Sequence, residues 1–185
     1  MKTIKFVTGN HEKIRDATYA LKHYGIKVEQ VECELNEIQH HEPAQIGLAK
    51  AKAAYSLLKQ PLVINDSSWQ IPALGGFPGG YMKDVTAWLS TGDFLALMHS
   101  KQDKQIILNE TVVYIDQTEV KLFEACRQGK FVSEPAGSSG PSFARVIKME
   151  NDDLTVSQIF DKKGERDLDR ARYEHWNKFG TWYSR

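Results

Sequence analysis

The sequence has little cysteine and no long apolar run. Two cysteines, Cys33 and Cys126, occur among 185 residues, which is too few for a disulfide framework and indicates ordinary buried thiols in a reducing compartment. No stretch approaches the roughly 20 apolar residues of a membrane helix, and the apolar run from Ile4 to Val7 is shorter than the core of a signal peptide. We therefore expect a cytoplasmic protein with no membrane partner.

The sequence also lacks an excess of either charge. It contains 24 Lys and Arg residues and 24 Asp and Glu residues, so its formal net charge is zero. A dedicated DNA or RNA binder usually carries a basic excess, so we expect no nucleic-acid polymer as a partner, and a bound anion should be small and met by local cations. The length of 185 residues and the 41% hydrophobic content suit a single two-lobed domain over 1–185.

The periodicity of apolar residues alternates between strand and helix along the first part of the chain. The predicted strands cover 4–7, 26–31, 62–64, 105–116, 119–129 and 143–148, and the predicted helices cover about 12–24, 43–59, 85–89, 94–98 and 165–179. This order predicts an α/β fold with a mixed sheet and flanking helices. We expect the β-rich middle to form a second lobe, with the active-site cleft between the lobes.

The first candidate site lies where the first strand meets the first helix. Thr8, Gly9 and Asn10 occupy this junction, and Lys13 follows in the first helical turn. Backbone amides at a helix start, together with the helix dipole, favour an anion, and a lysine there adds a point charge for a phosphate. The alternative is that Asn10 simply caps the helix without any ligand, and the segment alone leaves both interpretations open.

Two acidic positions are candidates for metal binding. Asp66 follows an apolar strand, where ligands of open α/β sheets bind, and a carboxylate there can hold magnesium or orient a water. The alternative is an ordinary Asp and Ser turn. Glu37, in the acidic stretch 32–42, can supply a second carboxylate; the alternative is a solvated acidic loop.

Three segments, taken in order, resemble the inosine triphosphate pyrophosphatase family. The segment from Thr8 to Lys13 is similar to the T-G-N-x-x-K phosphate loop of that family, 35–39 to its L-x-E-I-Q segment, and 73–81 to its A-L-G-G-x-P-G-x-Y run. The resemblance implies two lobes around a long central mixed β-sheet and a homodimer. It also implies a Mg²⁺-dependent enzyme that hydrolyses nucleoside triphosphates, especially deaminated purine ones such as (d)ITP or XTP, to the monophosphate and pyrophosphate.

The resemblance assigns roles to matching positions. Asp66 is implied to be the catalytic residue that activates the attacking water, and Asp66 and Glu37 are implied to be the magnesium ligands. The residues implied to bind substrate are Thr8, Gly9, Asn10, Lys13, Lys50, Ser67, Lys83, Phe143 and Arg170.

The sequence departs from the family pattern in three places. Asn65 stands where the family usually has an acid, the base-pocket motif is reduced to Phe143 with a new Arg145, and only Arg170 remains of a late S-H-R motif. Arg145 is open to two interpretations, a ligand contact or a strand-surface arginine. Because hydrogen-bond readout of a base is worth several powers of ten, we expect altered base specificity.

Two other functions compete with this one. The first is a catalytically weak nucleotide-binding protein with a regulatory role, which Asn65 and the altered motifs favour. The second is a Maf-type pyrophosphatase, which the sequence disfavours because it has no S-x-[ST]-P-R-R opening loop.

Overall fold

The computed structural model describes residues 2–35, 38, 40, 42–162 and 170–185. Its elements, in chain order, are β1 (Lys2–Val7), α1 (His11–Lys22), β2 (Ile26–Val31), α2 (Pro43–Leu58), β3 (Leu62–Gln70), a 3-10 turn (Pro72–Leu74), β4 (Pro78–Gly79), α3 (Met82–Trp88), α4 (Thr91–His99), β5 (Gln105–Ile115), β6 (Val120–Phe131), a 3-10 turn (Ser142–Val146), β7 (Ile147–Met149), α5 (Val156–Asp161), a 3-10 turn (Arg170–Tyr173) and α6 (Glu174–Tyr183).

The strands form one mixed sheet in the order β2-β1-β3-β5-β6-β7, with β4 paired to β3. β1 is parallel to β2 and to β3, whereas β3 and β4, and β6 and β7, are antiparallel. The predicted α/β class with a central mixed sheet is therefore confirmed. The cleft between the lobes stays a prediction.

The chain divides into two compact units. The first comprises Met1–Ser67, Glu110–Ala125 and Asp169–Arg185, and the second comprises Ser68–Asn109 and Cys126–Leu168. Among the described residues, no helix combines the length and the apolar character that a membrane crossing requires.

In the first unit, alternate side chains of β1 enter different apolar clusters. Phe6 packs with Trp176 of α6 and with buried residues of α1, whereas Val7 packs with Ala51 and Ala54 of α2. This separation follows from the alternating direction of side chains along a strand. The sheet of this unit is thus covered by α1 and α6 on one face and by α2 on the other, and the start of α1 and the middle of α2 are held against β3.

In the second unit, a separate apolar cluster forms the core. It includes Phe94 and Met98 of α4, Ile106 of β5 and Phe143 of the 3-10 turn. Helix α4 begins at a capping box, in which Ser90 and Asp93 satisfy each other's backbone amides.

Three predicted elements were wrong in extent or type. The strand predicted over 62–64 continues as β3 through Asp66 to Gln70, with β5 as its neighbour in the sheet and with Trp69 and Gln70 paired to β4. The strand predicted over 143–148 is a 3-10 turn followed by the short β7. Helix α5, which Thr155 caps, was not predicted. The predicted tail helix, 165–179, is a 3-10 turn and then α6, which runs to Tyr183; 163–169 lie outside the described residues.

The turn between β5 and β6 is organised by the Asp116 carboxylate. It accepts hydrogen bonds from the backbone N–H groups of Thr118 (2.7 Å) and Glu119 (2.9 Å), and from the hydroxyl groups of Thr118 (2.8 Å) and Tyr114 (2.9 Å). Partial burial disfavours the ionised form, but these bonds outweigh it and lower the pKa of Asp116 to about 2. Because the folded pKa lies below the unfolded value of about 3.9, the stabilisation is present above that value and is lost as the pH falls through about 2.

Asp116→Asn is expected to lower the free energy of unfolding at neutral pH, since asparagine keeps one acceptor oxygen but loses the charge. The difference from the unaltered chain should shrink as the pH falls from about 4 toward 2, in urea denaturation curves recorded at each pH. Asp153→Asn, at an exposed position, is the control and should show no such convergence. A difference that stays constant over this range would contradict the role given to the Asp116 charge.

Candidate functional site

The loop that follows β1 is tied to β2 by hydrogen bonds. The Thr8 N–H donates to the Val31 carbonyl (3.1 Å), the Gln30 side-chain amide donates to the Thr8 carbonyl (3.0 Å), and the Asn10 N–H donates to the Thr8 hydroxyl (3.1 Å). Gly9 is exposed, and a Cβ placed on it would have no atom within 4 Å. The loop is therefore ordered, with open space at Gly9 where a ligand can approach the backbone.

Asn10 caps helix α1. Its side-chain oxygen accepts from the backbone N–H groups of Glu12 (2.9 Å) and Lys13 (3.4 Å). Within the described part of the chain, the amides of Gly9 and His11 donate no hydrogen bond. The two interpretations of this segment are thus compatible, because the cap uses one pair of amides and leaves another pair for an anion.

Lys13 connects the start of α1 to β3. Its ammonium donates to the backbone carbonyl of Asn65 at 2.8 Å. The lysine is therefore held beside the Asp66 backbone rather than extended into solvent. This contact places a positive charge next to the backbone of Asp66, the residue predicted from the sequence to be catalytic.

Asp66 and Lys50 form an ion pair between β3 and α2. Lys50 Nζ lies 3.3 Å from Asp66 Oδ1, and the two side chains are only 15% and 18% exposed. Gly47 lies one helical turn before Lys50, and a Cβ there would be 3.2 Å from Val113 Cγ2 and 3.8 Å from Asp66 Cβ. The absence of a side chain at Gly47 thus lets α2 approach the sheet closely enough for this pair to form.

Asp66 does not lie in a turn, contrary to the alternative considered from the sequence. It is within β3, which continues to Gln70. Its neighbour Ser67 is exposed, as a substrate contact requires, whereas Ser68 is buried.

Asn65 makes a contact that a carboxylate does not make. Asn65 is 9% exposed as a residue, and its side-chain amide donates to the backbone carbonyl of Thr111 on the neighbouring strand at 3.2 Å. An ionised Asp or Glu has no donor for this bond. In this chain, the position therefore carries a hydrogen bond between strands in place of a second negative charge.

The metal ligands available in this region suit a magnesium ion that is also bound to a polyphosphate. Among the residues that the structure describes, no group of three or more His, Cys, Asp or Glu side chains is arranged to hold a metal. Asp66 supplies one carboxylate, and magnesium bound to substrate phosphates needs only one or two from the protein. Glu37, the other predicted ligand, lies outside the described residues.

Two of the remaining predicted substrate residues belong to the second unit, and the side chain of the third is not described. Lys83 is exposed in the first turn of α3, and Phe143 is 4% exposed; both belong to the second unit. Arg170 begins a 3-10 turn, but its side chain lies outside the description.

Phe143 packs as a core residue. Its ring lies edge-on to Trp69, with centroids 5.1 Å apart, and 6.1 Å from the Phe94 ring. A base would stack on Phe143 only after these rings had moved, so the predicted stacking stays a prediction. Arg145 donates to the Ser138 carbonyl at 3.0 Å, which favours its structural interpretation.

Gly47 and Thr111 are two contributors that the sequence reasoning missed. A glycine inside a helix is unfavourable by about 1 kcal/mol relative to alanine, so Gly47 within the Ala-rich helix α2 was a signal of close packing. Thr111 contributes through its backbone carbonyl. Because every residue has such a carbonyl, no sequence pattern could have identified this one.

Comparison with known proteins identifies a family and relatives that match most of this chain. The model of the Ham1 family matches residues 4–172. A dITP/XTP pyrophosphatase from Methanopyrus kandleri is 27% identical over 181 residues, covering 97% of this chain and 95% of its own length. Inosine triphosphate pyrophosphatase 2 from Trypanosoma cruzi is 28% identical over 171 residues, covering 91% of this chain and 87% of its own.

A solved structure matches the fold over the whole chain. The HAM1 protein from Coxiella burnetii superposes with a TM-score of 0.80, covering 100% of this chain and 99% of its own, at 14% sequence identity. These matches also cover the second half of the chain, which contains none of the three segments on which the family resemblance was based.

Proposed function

Because the chain belongs to the Ham1 family, we propose that it is a magnesium-dependent nucleoside triphosphate pyrophosphatase that releases a nucleoside monophosphate and pyrophosphate. Membership confirms the resemblance predicted from the three segments. The enzyme class agrees with the names of the relatives, which are pyrophosphatases of dITP, XTP or inosine triphosphate. We propose deaminated purine triphosphates as the substrates on the same ground.

The observation that carries the proposal is the convergence of two lysines on adjacent residues of one strand. Lys13, in the first turn of α1, contacts Asn65, and Lys50 of α2 contacts Asp66. A triphosphate is strongly anionic, so its charge must be offset before a nucleophile approaches phosphorus. Two ammonium groups and the start of a helix supply part of the positive charge that is needed, although the protein as a whole is not basic.

In the proposed reaction, Asp66 accepts a proton from a water that attacks the α-phosphorus. The bond between the α-phosphorus and the oxygen bridging to the β-phosphorus breaks, and pyrophosphate leaves. Lys50 orients the Asp66 carboxylate, and Lys13 binds the phosphates. Asp66 and Glu37 would hold the magnesium ion, which would supply positive charge to offset that of the phosphate oxygens.

The alternative function is a nucleotide-binding protein with little or no turnover. One observation favours it, the neutral Asn65 engaged with Thr111, since the site then has one carboxylate fewer for metal. The altered base specificity, the single two-lobed domain over 1–185, the homodimer and the cytoplasmic location stay predictions from the sequence.

A panel of triphosphates separates the two functions. Pyrophosphate release from dITP, XTP, dATP, dGTP, dCTP and dTTP is measured with magnesium and with EDTA. We expect turnover of the inosine and xanthosine nucleotides with magnesium and its loss in EDTA. Turnover of no nucleotide would contradict the proposal, and nucleotide binding without turnover would establish the alternative.

A further inference from the structure

We propose that Trp69 is the aromatic residue on which the base of the nucleotide stacks, in place of the buried Phe143. The inference rests on the proposed function, because it takes a nucleoside triphosphate as the ligand. It extends that function by assigning contact with the base to a residue that neither the sequence motifs nor the family resemblance indicated.

Trp69 is the outermost of three aromatic rings that lie in a row. The ring centroids of Trp69 and Phe143 are 5.1 Å apart, and those of Phe143 and Phe94 are 6.1 Å apart. Phe94 is 0% exposed and Phe143 is 4% exposed, whereas Trp69 is half-buried. Of these three rings, Trp69 is therefore the one with surface that a base can reach while the rings keep this arrangement.

The place of Trp69 on β3 suits a ligand whose phosphates lie at Asp66. The strand pairs with β1 near its start and with β4 at Trp69 and Gln70, and the segment between those pairings carries Asp66 and the exposed Ser67. Trp69 lies three residues beyond Asp66, which is about 10 Å along a strand and comparable with the length of a nucleotide. Because side chains alternate along a strand, Ser67 and Trp69 share a face.

The ring of Trp69 is also held in place by its neighbours. Its backbone pairs with Gly79 of β4, and its ring packs against Phe143 at an interplanar angle of 68° and against the apolar cluster of the second unit. A ring that is already ordered loses little rotamer freedom when a base stacks on it.

Stacking uses the face of a base rather than its hydrogen-bonding groups, so it tolerates different bases. This tolerance agrees with the altered base-pocket motif, in which Phe143 remains but the other groups are replaced. A stack on Trp69 accommodates the deaminated purines proposed above without reading their substituents.

The test is calorimetric titration, with magnesium present, of two ligands that the proposed reaction cannot cleave. The first is the α,β-methylene analogue of dITP, in which carbon replaces the oxygen between the α- and β-phosphorus atoms. The second is methylenediphosphonate, which has no base. Trp69→Leu should weaken binding of the dITP analogue by about 10- to 100-fold and leave binding of methylenediphosphonate within about twofold. Trp69→Phe, which keeps a ring, should bind the analogue within about fivefold of the unaltered chain.

Trp88→Leu is the matched control. Trp88 is 76% exposed at the end of α3, so its replacement removes a tryptophan of the same unit outside the row of rings. Both affinities should be unchanged in this variant. Thermal denaturation of each protein verifies that it is folded.

Fluorescence keeps the test decisive if Trp69→Leu does not fold. The chain has four tryptophans, and the dITP analogue should change the emission of the unaltered chain and of Trp88→Phe. That change should be absent in Trp69→Phe, and methylenediphosphonate should change the emission of none of these proteins.

Three results would overturn the inference: no binding of the dITP analogue by the unaltered chain, unchanged affinity for it in folded Trp69→Leu, or equal weakening of both ligands by that substitution. Equal weakening would show that Trp69 acts only through the fold. Failure of the proposed function is distinguishable from these. The expected affinities without turnover of any triphosphate would remove the enzymatic proposal and support this one, whereas turnover of dITP with an unchanged KM in Trp69→Leu would do the reverse.

Discussion

Asp66→Asn is expected to lower kcat for triphosphate hydrolysis by about 10²–10⁴-fold, the usual contribution of a positioned general base. Asparagine has nearly the same shape, so it fits the same place in β3, but it neither accepts the proton of water nor binds magnesium as a carboxylate does. The side chain is 18% exposed and its recorded partner is Lys50, so the fold should be retained.

The measurement is steady-state pyrophosphate release from dITP with magnesium, together with a thermal denaturation curve. Asp153→Asn is the matched control, because it removes an exposed carboxylate from the second unit, and it should retain full activity. An Asp66→Asn protein with unchanged kcat would refute the role assigned to Asp66.

Lys50→Met is expected to lower kcat/KM by about 10- to 100-fold. The substitution removes a charged hydrogen bond, worth about 1.5–3 kcal/mol, and keeps an apolar stem of similar length. Because the family resemblance implies that Lys50 binds substrate and the proposed mechanism has it orient Asp66, KM should rise and kcat should fall together.

Lys52→Met on the same helix provides the control, since its side chain is exposed and its kinetics should be unchanged. If Lys50→Met raises KM alone and leaves kcat intact, Lys50 binds the ground state only, and the orienting role is excluded. Normal kinetics for Lys50→Met would exclude both roles.

The first half of the fold follows from local sequence patterns. Ile14, Ala17 and Leu21 recur at helical spacing and predict α1, which Asn10 caps as its residue type favours. The extent of β3 does not follow, because its polar residues from Asn65 to Ser68 resemble a turn. They belong to a strand that lies next to β5 in the sheet and pairs with β4 at Trp69 and Gln70, and a neighbour as distant in the chain as β5 is not encoded in a local pattern.

The residue types of the site could be predicted from the sequence, but the contacts between those residues could not. Lys13 and Asn65 are 52 positions apart, and Asn65 and Thr111 are 46 apart, so both contacts depend on the order of strands in the sheet. Asn65 shows the consequence most clearly. The sequence indicates only a missing acid there, whereas the structure gives a donor that joins two strands. Phe143 is similar, because its type suits stacking on a base and its packing makes it a core residue.

In the proposed reaction, this chain cleaves a triphosphate between its α- and β-phosphorus atoms. The most direct test is ³¹P NMR of dITP incubated with the protein and magnesium. We predict that the three triphosphate resonances are replaced by those of dIMP and pyrophosphate in equal amounts, and that Asp66→Asn leaves dITP intact. Orthophosphate appearing together with dIDP, or dITP that stays unchanged with the unaltered protein, would contradict the claim.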